Sequence, residues 1–125
     1  MRSVLLAVLL LATDSALAEW VTLEGGGSYV THLDPATVEQ AGDFRRIWVV
    51  VDLIDRDADG ELSRKMLTEY DCRQSRHRLL AYSEHSEKKG GGRVLFIQPP
   101  ATLPSAWERL RPDSSGALVA AIVCD

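Results

Sequence analysis

The sequence predicts an α+β fold: one antiparallel meander sheet of about six strands with a single C-terminal helix tethered by one disulfide. Three observations carry this expectation. Apolar residues recur with the two-residue period of strands from Trp20 to Ile97. The connections between those runs are short and rich in Gly, Pro, Asp and Ser, which suits antiparallel pairing. The period then changes after Pro112, and one cysteine, Cys124, closes the last apolar run.

The first eighteen residues stand apart from this pattern. Arg2 supplies a small positive start, Val4 to Ala12 is an unbroken apolar or small run, and Ala16-Leu17-Ala18 has the small-x-small form of a cleavage site. Residues 1–18 are thus expected to be a signal peptide cut between Ala18 and Glu19, with 19–125 as the working domain. The run is too short to cross about 30 Å of hydrocarbon, which takes roughly 20 residues. No cysteine stands at the cleavage site, the first in the chain being Cys72, so the expected product is periplasmic or secreted and not membrane-anchored.

Cleavage would leave 107 residues with 13 basic and 17 acidic side chains, so the net charge of -4 survives. Nucleic acid is excluded as a partner class, because phosphate neutralisation needs a basic surface. A domain of this size buries only about 65% of its unfolded surface, so a covalent staple helps it. Cys72 and Cys124 are the two cysteines, and export places them in an oxidising compartment. An internal disulfide is the expected state, with an intermolecular bridge or two free thiols as alternatives. Closing that loop removes about 4 kcal/mol of unfolded-chain entropy.

Along the working chain, Trp20 to Leu23 is a first short strand, followed by a turn at Gly25-Gly26-Gly27. Ser28 to Leu33 is the second, stopped by Asp34-Pro35, where proline removes a donor. Phe44 to Leu53 is the strongest. Ile47, Val49, Val51 and Leu53 line one face and Trp48 and Val50 the other, as in a central strand or one that meets a partner. In Leu62 to Cys72 the even positions Leu62, Met66, Thr68, Tyr70 and Cys72 are expected to face inward, with Ser63, Lys65, Glu69 and Asp71 outward. Arg76 to His85 follows a turn at Gln74-Ser75, and Arg93 to Ile97 runs from Gly90-Gly91-Gly92 to Pro99-Pro100. Asp113 or Ser114 is the expected N-cap of a short helix, with Leu118, Ile122 and the neighbouring Ala121 on its buried face.

Several of these segments, in this order, resemble a known family. They are Glu19-Trp20-Val21, then Leu33 to Val38, Ile47-Trp48-Val49-Val50-Val51-Asp52, and Glu69-Tyr70-Asp71-Cys72 with Arg76, Arg78 and Leu79, then the closing cysteine. Over essentially the whole working chain the sequence is similar to the surface-adhesin protein E family of exported proteobacterial proteins. The resemblance implies a small non-enzymatic domain that binds host matrix or plasma proteins and can form a homodimer through its sheet. It departs from the family's lipid-anchored form in lacking a cysteine at the cleavage site.

Among local motifs, Asp55, Asp57, Asp59 and Gly60 match the first half of an EF-hand loop, with oxygen ligands at positions one, three and five. Position twelve is Met66 instead of a bidentate glutamate, and a strand precedes the loop where a helix should stand. The expectation is therefore a solvated acidic turn, with the three aspartates as the candidate calcium loop. Arg73, Arg76 and Arg78, with Lys88, Lys89 and Arg93, are candidate partner-binding cations, and Trp48 is the candidate interface aromatic. The glycine triplets lack the lysine and hydroxyl that follow in a phosphate loop. No nucleophile signature appears, and no resident cofactor is expected. The leading reading is a binding domain for a protein partner; the alternative is a periplasmic accessory protein able to take calcium at Asp55–Asp59.

Overall fold

The computed structural model describes residues 20–25 and 27–125. The expected signal peptide and its Ala18–Glu19 cleavage point lie outside the described residues. Eight strands form one sheet: β1 Val21–Gly25, β2 Tyr29–Leu33, β3 Glu39–Ala41, β4 Phe44–Leu53, β5 Ser63–Asp71, β6 Arg76–His85, β7 Val94–Ile97 and β8 Glu108–Arg109. The six longer ones run in the order β1-β2-β4-β5-β6-β7, every pair antiparallel, while β3 pairs β4 and β8 pairs β6. The expected meander is present. The two short strands were not anticipated, since three or two residues give no measurable alternation.

The helix α1, Ser115–Val123, is capped by Ser114, whose side-chain oxygen accepts from the Ala117 amide at 3.1 Å. It lies on one face of the sheet and is tied to the β5–β6 turn by the Cys72–Cys124 disulfide. The core between helix and sheet is Leu33, Ile47, Val49, Val51 and Tyr70 from the strands with Val119, Ala120 and Val123 from α1. The helix therefore turns a different side inward from the one expected. Leu118 and Ala121 are exposed, and Val119 and Ala120 take their place. In so short and apolar a helix the period cannot choose a face; the disulfide at Cys124 fixes the rotation instead.

Register divides the side chains between a helix face and an open face. On β4 and β5 the helix face carries the pairs Ile47–Thr68 and Val49–Met66, and the open face Arg46–Glu69, Trp48–Leu67 and Asp52–Ser63. The open face is not a simple solvated surface. Ser63, Glu69 and Asp71, expected to look out into water, are buried. They do point away from the helix, as their alternation requires, but ion pairs and a returning loop cover them.

Candidate functional site

Three groups of residues lie along the open face. At the β5–β6 turn end, Glu69 on β5 sits between Arg46 of β4 and Arg78 of β6, at 2.6 Å from Arg46 Nε and 2.7 Å from an Arg78 terminal nitrogen. The carboxylate is 0% exposed, whereas both guanidiniums reach solvent. Burial pushes its carboxyl up, but the hydrogen bonds from Arg46 and Arg78 outweigh that and hold it below the ordinary range. Asp71 repeats the arrangement with Arg76 at 2.9 Å. The ring of Trp107 stacks against Arg76 and Arg78, 4.6 and 4.2 Å from their guanidinium carbons, and packs on Phe44 at 5.2 Å. The acids are therefore inside and the cations outside.

In the middle of the face, Trp48 remains 41% exposed, with Leu67 on β5 opposite it and Ala81 on β6 next along. Lys65 Nζ lies 4.9 Å above its ring. Beside it opens a groove of about 430 Å³, lined by Trp48, Leu80, Ala81, Ile97, Leu103 and Pro104. Its outer rim is β7, the edge of the sheet, where Val94, Leu95, Phe96 and Ile97 are all exposed, Ile97 to 65%. Natural edges are ordinarily guarded by charge, proline or a covering loop, and this strand carries none of these within its span.

At the far end, His32 on β2 joins Thr22 of β1 and Asp52 of β4. Its Nδ1 is 3.1 Å from Thr22 Oγ1 and its Nε2 is 2.9 Å from Asp52 Oδ2. The loop after β6 folds back here: the Lys89 amide donates to Asp52 Oδ1 at 2.7 Å and the Gly90 amide to Ser63 Oγ at 2.9 Å. Lys89 adopts a left-handed backbone, φ 58°, to make that turn. Trp20, Thr22, His32, Val50 and Lys89 line a small slot of about 140 Å³.

The six candidate cations do not converge. Arg76 and Arg78 pair with buried carboxylates, and Arg73 lies 3.5 Å from Asp43 at the exposed turn. Lys88, Lys89 and Arg93 belong to the loop at the His85 end of β6, roughly 25 Å away along the strands. In the acidic loop Asp57 Oδ1 accepts from the Asp59 and Glu61 amides at 3.0 and 2.9 Å, an Asx turn. Hydrogen bonding with Glu61 holds the Asp57 carboxyl below its ordinary value, while burial raises that of Glu61. Arg56 spans the loop, donating to the Gly60 and Ser86 carbonyls at 2.8 and 2.6 Å. Among the described residues no three or more His, Cys, Asp or Glu side chains are grouped so as to hold a metal ion.

Alternation sets Trp48 opposite Ile47, Val49 and Val51, and that opposite face is the open one. Sequence reasoning missed the Glu69 cluster and the Thr22–His32–Asp52 chain, because alternation reports which face a residue takes and not which neighbours flank it. Comparison with family models matches residues 20–125 to one described as surface-adhesin protein E. Comparison with curated protein sequences gives no match. Among solved structures, one crystal form of Haemophilus influenzae protein E aligns with TM-score 0.57 at 15% identity, over 83% of this chain and 95% of that one. Its selenomethionine form aligns with TM-score 0.56 at 14% identity, over 83% and 94%. Likeness at that identity is a likeness of fold.

Proposed function

Because the chain belongs to the surface-adhesin protein E family, we propose that it is an exported, non-enzymatic adhesin-like domain that holds a protein partner against the open face of its sheet. The partner class is a host matrix or plasma protein, or a protein of the bacterial envelope. The working form is the chain released at Ala18–Glu19, periplasmic or secreted.

The observation that carries this reading is Trp48. A large aromatic left 41% exposed in the centre of a sheet, with Lys65 stacked on it and an apolar groove beside it, has the composition of an interface anchor. The unguarded β7 edge next to it offers free backbone donors and acceptors to an incoming strand. The same features suit a second copy of this chain, so a homodimer through the sheet belongs to the proposal.

The test is capture by the oxidised mature domain from matrix proteins, plasma and envelope extract, repeated with Trp48→Ala and Lys65→Glu. Trp48→Ala should weaken capture by roughly tenfold or more, the range of a truncated interface anchor. Capture limited to envelope proteins would support the accessory reading instead. Unchanged capture by both variants would remove the open face from consideration.

A further inference from the structure

On the opposite side, between α1 and the sheet, lies a cavity of about 290 Å³ that the open-face reading does not use. Its lining crosses four neighbouring strands: Thr31 on β2, Val49 and Val51 on β4, Met66 and Thr68 on β5, Leu79 on β6. Three strand spacings make it about 14 Å long. A cavity of that length can take one extended acyl chain laid across the strands.

The walls are mostly apolar; Thr68 and Tyr70 lie on the intervening β5, and the remaining polar groups lie toward the two ends. At the β2 end, Thr31 is 1% exposed and its Oγ1 has no hydrogen-bond partner among the described residues. A buried hydroxyl left without a partner costs on the order of 1–3 kcal/mol, and a ligand oxygen would relieve that cost. At the β6 end the lining includes Ser115 and Gly116, the first turn of the nine-residue helix. The Ser114 cap serves the Ala117 amide, and the Ser115 and Gly116 amides have no hydrogen-bond partner among the described residues. Free amides at the positive end of a helix suit an anion. His77 forms part of the same end, with the largely exposed Glu108 carboxylate 3.9 Å from its Nε2. Gly116 packs closely here, since a Cβ on it would stand 3.0 Å from the His77 ring.

We infer that this cavity is a binding site for a hydroxylated medium-chain acyl carboxylate. The carboxylate would lie at the Ser115 and Gly116 amides, the chain along Val49, Val51, Met66 and Leu79, and the hydroxyl at Thr31 Oγ1. This inference stands apart from the partner-binding reading, since it concerns the other face.

The experiment is an amide chemical-shift titration of the oxidised mature domain with 10-hydroxydecanoate, decanoate and decan-1-ol. The expected result is saturable binding of 10-hydroxydecanoate, with shifts at Thr31, Val49, Thr68, Leu79 and Gly116. Decan-1-ol should bind at least tenfold more weakly. Thr31→Val keeps the shape and removes the hydroxyl, so it should abolish the advantage of 10-hydroxydecanoate over decanoate. Leu79→Trp, which fills the cavity, should abolish binding of all three. If Leu79→Trp does not fold, Val51→Phe serves the same purpose. The inference fails if no probe saturates, if shifts gather around Trp48 or β7, or if Thr31→Val leaves the preference intact.

Discussion

At the scale of single residues, two buried glutamates respond to acid in opposite senses. Glu69 is held below its ordinary pKa by Arg46 and Arg78, so it favours the folded state above the unfolded value of about 4.3. That contribution is lost as pH falls through the depressed folded value. Glu61 is also buried and bonded to Arg64 at 2.6 Å, but burial leaves its pKa raised. Its folded form takes up a proton more readily, so Glu61 favours folding more as pH drops through its raised value. Urea unfolding between pH 3 and pH 7 separates the two. Glu69→Gln should cost about 1–3 kcal/mol at pH 7 and flatten the acid loss, whereas Glu61→Gln should leave a steeper acid loss than the parent. Equal slopes for the two variants would show that neither carboxylate governs acid stability. Neither behaviour is legible in the sequence. Glu69 reads as an ordinary outward position of an alternating strand until Arg46 and Arg78, 23 and 9 residues away, are seen to close over it.

At the scale of elements, α1 is the least autonomous part of the fold. Nine residues are too few to be helical alone in water, so its order rests on packing and on the disulfide. Opening the bridge between Cys72 and Cys124, 52 residues apart, should cost about 4 kcal/mol by loop closure. Replacing both cysteines with serine should lower the urea midpoint accordingly and reduce helical ellipticity before the sheet melts. A coincident loss of both signals would mean that helix and sheet form one cooperative unit even without the bridge. Here the sequence was informative about what and where: the Pro112-Asp113-Ser114 start, the apolar run and the cysteine at its end all hold. It was uninformative about rotation. With alanine, valine, leucine and isoleucine on every side, no stripe marks the buried face, and only the tether and the sheet beneath choose Val119, Ala120 and Val123.

At the scale of the whole molecule, the sheet is asymmetric. Its helix face is closed by α1, and its open face presents cations and tryptophans while the acids Glu69, Asp71 and Asp52 are buried. In a chain of net charge -4, the arginines that reach solvent on this face are thus paired from beneath. The β7 edge continues that face to its rim, and an exposed apolar edge associates unless something blocks it. Sedimentation velocity across a concentration series should show self-association of the parent that Ile97→Lys reduces, with the circular dichroism spectrum unchanged. A parent that stays monomeric throughout would argue against assembly through this edge.

What the sequence by itself determined is the order and type of the main elements, the antiparallel pairing, the partner cysteines and the family. Those properties depend on periods, turn residues and spacings that lie within one stretch of chain. What only the tertiary structure decided is lateral: which acids sink beneath which arginines, which side of α1 turns inward, that β7 is an unguarded edge, and that a cavity runs from Thr31 to Gly116. The physical reason is common to all four. Each depends on neighbours brought together across strands from distant parts of the chain, and a two-residue period records the face of a side chain but carries no information about what lies beside it.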